Sequence, residues 1–159
     1  MKISPPAHAA RLVSIDDISS DSRILKVELE NRRRLEFEAG QYVFFHVDGL
    51  DARAFSIASH PEDTLLEFHV RNSGHGISAH LFRDGAPGLG FRLSEPCGAN
   101  IYKKSAQQVL ALAGGVGIAP MKSIIHAHFA HGKAPLHLYW GARDISHLYL
   151  DNFFRGLVK

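Results

Sequence analysis

The chain has 159 residues, of which 45% are hydrophobic, and its 18 basic and 16 acidic residues give a formal net charge of +2. This length allows one domain of ordinary size, or a small domain with part of another, and the composition is typical of a folded soluble protein. The near-balance of charge argues against a nucleic-acid-binding protein, because the basic residues are not collected on one stripe. The single cysteine excludes a disulfide framework, and an iron–sulfur cluster held by four thiolates, within these residues.

No apolar segment near the N-terminus has the length of a signal peptide, and no apolar run approaches the length that spans a membrane. We therefore predict a cytoplasmic protein that does not associate with membranes. The basic run at 32–34 has acidic residues on both sides, which predicts a hairpin connection with a solvated tip. Docking of an acidic partner at this run is the less favoured alternative.

Short strand-like segments occupy most of the first half of the chain. The clearest alternates apolar and charged residues from Ile24 to Glu30, as expected for a strand with one buried face. The segments predicted as strands are 11–15, 24–30, 41–47, 53–59, 65–71 and 91–93. A short helix is predicted at 77–82, between the last two. Strands this short, separated by turn residues, predict an all-β barrel or sandwich.

The pattern then changes to alternating strands and helices. A continuous apolar run at 108–113 predicts a strand buried on both faces, and a glycine-rich turn follows it. Pro120 lies in the first turn of a helix predicted to end at Gly132. A strand at 136–140 comes next, and Asp144 is the predicted N-cap of a further helix. This order is the beginning of a doubly wound parallel sheet.

Arg53, Phe55 and Ser56 together could contact a flat, anionic ligand. Residues two apart in a strand share a face, so the guanidinium and the ring would lie side by side. Arginine offers a planar fork to a phosphate, phenylalanine a surface for a ring system, and serine a hydrogen bond to a ring heteroatom. Taken alone, these residues fit a half-buried strand with one exposed arginine better than they fit a binding site.

Three motifs in order resemble those of the ferredoxin–NADP reductase superfamily, in particular bacterial NAD(P)H–flavin reductases and the reductase components of oxygenases. The family's Arg-x-Tyr-Ser is matched at 53–56 with phenylalanine in place of tyrosine, and its Gly-x-x-Ser loop is matched approximately at 74–78. Its Gly-Gly-x-Gly-Ile-Ala-Pro is matched in full at 114–120. The resemblance implies an antiparallel six-stranded flavin-binding β-barrel at 1–104, followed at 105–159 by an incomplete doubly wound parallel α/β domain that binds NAD(P).

The resemblance also implies how a flavin is held. Arg53 would neutralise a flavin phosphate, Phe55 would pack on the ring system, and Ser56, the residue nearest the chemistry, would reach the redox-active ring nitrogen. The other implied contacts are the backbone of His69 and Val70 along the ring, and Gly76, Ile77 and Ser78 at the pyrophosphate. FAD is favoured over FMN by the general resemblance. Phenylalanine in place of tyrosine is a mild indication that the flavin dissociates.

For the second cofactor, the resemblance implies a nucleotide turn in which glycines let the backbone approach a pyrophosphate. The residues assigned to this turn are Gly114, Gly115, Gly117 and Pro120. Arg143, at the end of the next strand, would contact the adenosine part of NAD(P)H, and a plain surface charge at a helix start is an equally weighted alternative. His126, His128 and His131 fan around a helix at ~100° per residue, which predicts solvated side chains and not a metal site.

The family's nucleotide domain has further strands and helices that are not among these 159 residues. Three accounts stay open: a piece of a longer reductase, a short protein completed by dimerising or by another subunit, or a flavoprotein that no longer uses a nicotinamide. The expected function is hydride transfer from NAD(P)H to FAD, with electrons passing to a redox protein or a small-molecule acceptor. The alternative is a flavin-binding electron-transfer subunit without nicotinamide turnover of its own.

Overall fold

The computed structural model describes residues 3–104, 107–131 and 134–157. The strands and α-helices in these ranges are β1 (Pro6–Ser19), β2 (Ser22–Leu29), β3 (Tyr42–His46), β4 (Arg53–Ser56), β5 (Leu66–Arg71), α1 (Gly76–Arg83), β6 (Gly90–Ser94), β7 (Val109–Gly114), α2 (Ile118–His131), β8 (Leu136–Gly141) and α3 (Asp151–Leu157). Single 3₁₀ turns at Gly115–Gly117 and Ile145–His147 follow β7 and β8. The expected helix end at Gly132 and the expected start of a second domain at residue 105 lie outside the described residues.

Strands β1 to β6 form one sheet in the order β4-β3-β6-β1-β2-β5, and every pairing in it is antiparallel. The edge strands β4 and β5 come together, and an antiparallel bridge between Ile57 and Phe68 joins them. The sheet therefore closes on itself, and the six-stranded antiparallel barrel expected from the sequence is confirmed. The sandwich alternative is wrong.

The barrel encloses a core built from the alternating apolar residues of its strands. Phe45 lies at its centre, with ring centroids 4.8 Å from Phe68 and 4.7 Å from Phe91. Helix α1 closes one end because Ile77 and Leu81, four residues apart, share one helix face and are fully buried. The barrel thus holds β4, β5 and the start of α1 in fixed relative positions.

The basic run at 32–34 is not a hairpin connection, as the sequence had suggested. Strands β2 and β3 are separated in the sheet by β6 and β1, so the segment between them crosses from one part of the barrel to another.

Strand β1 is also much longer than the predicted 11–15. It extends because it pairs with β2 along most of its length and with β6 through its first half.

Strands β7 and β8 form a parallel pair, with Leu112 opposite Tyr139. Helix α2 covers one face of this pair, and in the described residues nothing covers the other. Leu110, Leu112 and Tyr139 on that face are 60%, 64% and 63% exposed, and we call them the bare face. The prediction that the first of these strands is buried on both faces is therefore wrong for the described part of the chain.

The segment after β8 differs from the prediction in one detail. The Asp144 side chain accepts a hydrogen bond from the Ser146 amide at 3.0 Å, but this caps a single 3₁₀ turn. Helix α3 begins only at Asp151. Among the described helices, none combines the length and the apolar character needed to cross a membrane.

Candidate functional site

Three cavities matter for function: one lies within the barrel unit, and two lie where the barrel meets the elements after residue 107. The loop cavity, about 620 Å³, lies between the β3–β4 loop and the start of α1. The central cleft, about 260 Å³, lies between β4 and the start of α2. The turn cavity, about 410 Å³, lies between the glycine turn after β7 and the β1–β2 end of the barrel. Arg53 lines the first two cavities, and Arg71 and Val116 line the last two.

Arg53 is held in place where the loop cavity meets the central cleft. Its Nη1 donates hydrogen bonds to Ser73 Oγ at 2.6 Å and to Ser78 Oγ at 3.2 Å. These bonds cross from β4 to the loop and first turn of α1, so two elements of the barrel orient one guanidinium. A cation oriented in this way can bind a phosphate without first paying the entropy of ordering its side chain.

The start of α1 faces the same loop cavity. No side chain caps its first turn, which leaves helix N–H groups and the positive end of the helix dipole available to an anion. Gly76 and Ile77 line the cavity, although the Ile77 side chain itself is buried in the barrel core. Ile77 can therefore contribute only its backbone here. The guanidinium and the helix start together fit the pyrophosphate of a flavin dinucleotide.

Phe55 and Ser56, which the resemblance assigns to the flavin, both line the central cleft. Phe55 is only 8% exposed, and its ring packs edge-on against Phe45 at 4.8 Å between centroids. Most of this ring therefore belongs to the barrel core, and only its margin can meet a ligand. Ser56 is partly exposed, so its side chain is accessible to a ligand in the cleft. The Val70 side chain is fully buried in the core, so this residue can offer only its backbone.

His69 also lines the central cleft, but its side chain has partners that the sequence did not reveal. The ring is buried, with Nε2 2.6 Å from Glu67 Oε1 and Nδ1 2.8 Å from the Tyr149 hydroxyl. Lys122, on α2, lies 2.7 Å from both oxygens of the Glu67 carboxylate. Strand β5 lies within the predicted strand at 65–71, and its apolar and polar residues alternate. Both faces are buried, because α2 and Tyr149 cover the outer one.

The charges in this cluster are set by burial and by the cluster's own contacts. Burial alone raises the pKa of Glu67, but the hydrogen bond from His69 and the charge of Lys122 outweigh it and hold that pKa well below its usual range. Burial is the main cause that lowers the pKa of His69, against the opposing effect of Glu67. The cluster therefore holds an ionised carboxylate beside a neutral imidazole at neutral pH.

The glycine turn after β7 shapes the turn cavity. Gly115 has φ +50°, a conformation that residues with a side chain adopt at a cost. A Cβ added at Gly114, Gly115 or Gly117 would meet no atom within 4 Å, so the turn leaves open space where a ligand can approach the backbone. Trp140 Nε1 donates a hydrogen bond to the Gly115 carbonyl at 3.0 Å and ties the turn to β8. Pro120 lines the central cleft.

Arg143 lines the turn cavity and forms an ion pair across to the barrel. Its Nη2 lies 2.6 Å from a carboxylate oxygen of Asp21, in the β1–β2 turn, and Arg71 Nε lies 3.3 Å from the same oxygen. The hydrogen bond from Arg143 is the largest cause that lowers the pKa of Asp21. Two guanidinium groups thus share one carboxylate at this cavity, and one positive charge is left over for an anionic ligand.

The helix histidines depart from the prediction. His128 is buried, with Nδ1 3.1 Å from the Tyr102 hydroxyl and Nε2 2.8 Å from the Ala134 carbonyl oxygen. His126 and His131 lie on another side of α2, with ring centroids 4.7 Å and 6.2 Å from His60. The expectation that all three are solvated is wrong for His128, because α2 is buried between the barrel and the β7–β8 pair. Among the described residues, no group of side chains is arranged to hold a metal ion.

Sequence reasoning missed Glu67, Lys122 and Tyr149. The spacing of Glu67 and His69 was an available signal, since residues two apart in a strand face the same way. A carboxylate on a strand covered on both faces needs a buried cation as its partner. Nothing local in the sequence identified Lys122 or Tyr149 as the residues that meet it.

Comparison with known proteins gives two family matches. The oxidoreductase FAD-binding domain matches residues 9–102, and the oxidoreductase NAD-binding domain matches residues 111–159. The ferredoxin–NAD(P)(+) reductase component of the naphthalene 1,2-dioxygenase/salicylate 5-hydroxylase systems of Ralstonia sp. is 33% identical over 160 residues, covering 95% of this chain and 48% of the relative. Protein RfbI of Salmonella typhimurium is 33% identical over 145 residues, covering 89% of this chain and 42% of the relative.

Among solved structures, a cytochrome P450 reductase from Amycolatopsis is 29% identical with a TM-score of 0.80, covering 97% of this chain and 49% of that one. The chain therefore spans slightly less than half the length of these relatives.

Proposed function

Because the chain belongs to the oxidoreductase family in which an FAD-binding domain precedes an NAD-binding domain, we propose that it binds FAD in the barrel and transfers electrons from NAD(P)H to an acceptor. The observation that carries the proposal is the placement of Arg53, held by Ser73 and Ser78 between the loop cavity and the central cleft. FAD supplies the hydride and electron chemistry when it is bound. The residues of the chain bind it, orient it and limit the access of water.

The proposed flavin contacts follow the cavities. Arg53 and the start of α1 hold the pyrophosphate, and the Ser56 hydroxyl, which can donate or accept a hydrogen bond, reaches the ring. The full proposed set is Arg53, Phe55, Ser56, His69, Val70, Gly76, Ile77 and Ser78. FAD is preferred to FMN because the loop cavity continues beyond Arg53 along the start of α1, where a second phosphate can lie.

The turn cavity is the proposed site of NAD(P)H. Gly114, Gly115, Gly117 and Pro120 shape the turn, and Arg143 supplies the positive charge. This assignment divides the chain into a flavin unit at 1–104 and the first half of a nucleotide unit at 105–159. The proposed acceptor is a redox protein of the kind that the Ralstonia relative's name describes, a ferredoxin, and the proposed location is the cytoplasm.

A second candidate is a flavin-binding electron-transfer subunit that does not itself oxidise NAD(P)H. The bare face favours it, because the sheet beside the turn cavity has only two strands in the described residues. A second copy of this chain or another subunit covering that face is part of this proposal.

Titration with FAD tests the flavin site. The purified chain should quench the fluorescence of added FAD, and Arg53→Gln should weaken binding by about tenfold or more, because a charge-assisted hydrogen bond to phosphate is lost. Arg33→Gln, at an exposed arginine outside these cavities, is the matched control and should bind as the wild type does. A wild-type chain that quenches no FAD fluorescence would exclude both candidate functions.

Anaerobic mixing with NADH or NADPH separates the two candidates. Loss of the absorbance band of oxidised flavin within seconds supports the reductase. A chain that keeps bound FAD oxidised in excess NADH and NADPH supports the electron-transfer subunit instead.

A further inference from the structure

A continuous line of polar side chains crosses from the barrel to the nucleotide-binding elements. Tyr149 contacts His69, His69 contacts Glu67, and Glu67 contacts Lys122, at distances of 2.6 to 2.8 Å. Glu67 and His69 belong to β5, whereas Lys122 belongs to α2 and Tyr149 to the segment before α3. We call these residues the junction cluster, because each of its outer bonds joins β5 of the barrel to an element that follows the glycine turn.

The partners fix where the protons lie in this cluster. The Glu67 carboxylate is ionised and only accepts, so His69 must donate to it through Nε2–H. A neutral imidazole then has a bare Nδ1, which accepts the Tyr149 hydroxyl proton. Lys26 Nζ also donates to the carboxylate, and each of these contacts has a donor facing an acceptor.

Three of the four residues are almost fully withdrawn from water, and only Tyr149 is partly exposed, at the turn cavity. Lys122 is 9% exposed, and Glu67 and His69 are less exposed still. A buried ion pair adds little net stability over an apolar pair, but it tolerates little displacement, because either charge left alone is costly. Such a cluster therefore specifies one relative position of β5 and α2 more strongly than it stabilises the fold.

The cluster also lies at the wall between two cavities. His69 lines the central cleft, Tyr149 lines the turn cavity, and Arg71 and Val116 line both. The hydrogen bond between His69 and Tyr149 therefore lies where the flavin ring and the dinucleotide would approach each other. A small shift of α2 along β5 would change that approach.

We propose that Tyr149 and Lys122 are positioning residues, which hold the turn cavity against the central cleft so that a reduced nicotinamide meets the flavin at a productive distance. The proposal rests on the proposed function, in which a hydride leaves the nicotinamide and bonds to the flavin. Tyr149 and Lys122 themselves exchange no proton or electron with either cofactor. They act through His69 and Glu67.

Tyr149→Phe is the first test, since it removes one hydrogen bond and leaves the ring packed edge-on to Trp140 at 5.2 Å. With FAD bound, the limiting rate of flavin reduction by NADH should fall about tenfold or more, because displacements of about 1 Å in a reacting pair have effects of that size. The FAD dissociation constant and the NADH concentration at half the limiting rate should stay within about twofold. Tyr139→Phe, on the bare face, is the matched control and should change none of these quantities.

The role of Lys122 is tested by one substitution that removes its charge and one that keeps it. Lys122→Met should lower the limiting rate at least as much as Tyr149→Phe, and Lys122→Arg should recover part of it, since a guanidinium can still pair with Glu67. In the chain without FAD, Lys122→Met should speed amide hydrogen exchange in α2 by about tenfold through easier local opening. Lys103→Met, at an exposed lysine, is the control and should leave exchange unchanged.

Limiting rates equal to wild type in both Tyr149→Phe and Lys122→Met would overturn the positioning role while leaving the proposed function intact. A parallel loss of FAD affinity and rate in Tyr149→Phe would also overturn it, since a general structural defect predicts that result. If the wild-type chain binds no FAD or is not reduced, the proposed function fails and the positioning role fails with it. Hydrogen exchange in Lys122→Met then still shows whether the junction cluster fixes α2, because that measurement needs no cofactor.

Discussion

At the scale of single residues, His69 has two roles. It lines the cleft proposed for the flavin, and its two ring nitrogens connect Glu67 to Tyr149 through hydrogen bonds. Because the ring is buried and neutral, folding makes this imidazole harder to protonate than in the unfolded chain. Its protonation is therefore linked to stability.

Lowering the pH should expose that linkage. The unfolded chain takes up a proton at this histidine as the pH falls through about 6.5, while the folded chain resists it, so the stabilisation present above that pH is lost below it. Glu67, whose pKa is depressed on folding, adds a further loss below about 4.5. Between pH 7 and 5, the slope of unfolding free energy against pH reports the number of protons taken up on unfolding. His69→Gln should make this slope shallower, because up to about one proton fewer is taken up.

Urea unfolding at a series of pH values measures this slope, with His137→Gln at an exposed histidine as the control. Equal slopes in wild type and His69→Gln would contradict the linkage.

At the scale of elements, α2 is the helix shared by both halves of the chain. It covers β7, places Lys122 against β5, and brings Ile124 near the turn before β3. That turn contains Gly40, which has φ +106° and whose added Cβ would lie 2.2 Å from the Asn100 carbonyl oxygen. The turn, the 95–104 connection and α2 are therefore packed tightly together.

Gly40→Ala should destabilise the chain by about 2 to 4 kcal/mol, because left-handed strain and a backbone clash act together. Gly49→Ala is the matched control. Gly49 also has a left-handed φ, of +76°, but a Cβ there meets no atom within 4 Å, so only the strain of about 1 kcal/mol applies. Chemical denaturation measures both variants, and equal losses of stability would show that the Asn100 contact is not limiting.

The elements also show what the sequence could and could not predict. Alternation of apolar and charged residues located the barrel strands. The three motifs singled out Arg53, the 74–78 loop and the glycine turn, and residues of all three line the cavities. The predictions of strand burial that were wrong depended on contacts with residues distant in sequence. The outer face of β5 is covered by α2. Strand β7 was predicted to be buried on both faces, but Leu112 on one of them is exposed to solvent. Asp144 caps a 3₁₀ turn, because a cap signal does not specify the length of the helix that follows.

At the scale of the whole molecule, the two halves are unequal. The barrel has a closed sheet with a buried core, whereas β7 and β8 present the bare face. Contiguous exposed apolar surface binds hydrophobic dyes and promotes association.

The purified chain should therefore enhance the fluorescence of anilinonaphthalene sulfonate under native conditions, and Leu112→Lys should reduce that signal by about half or more, since it charges the middle of the patch. Ile145→Lys is the control. Ile145 is 83% exposed but lies outside the bare face, so its substitution should have little effect. An unchanged signal in Leu112→Lys would place the dye elsewhere.

The hydrogen bond from Trp140 to the Gly115 carbonyl has a consequence for observing the molecule. Trp140 is the single tryptophan of the chain, and its indole is tied directly to the turn proposed to approach the dinucleotide. Emission excited selectively from tryptophan, and not from the four tyrosines, thus originates at one known point, next to the turn cavity. Any ligand that rearranges this turn alters the surroundings of the indole, so the chain carries its own optical reporter and needs no introduced label.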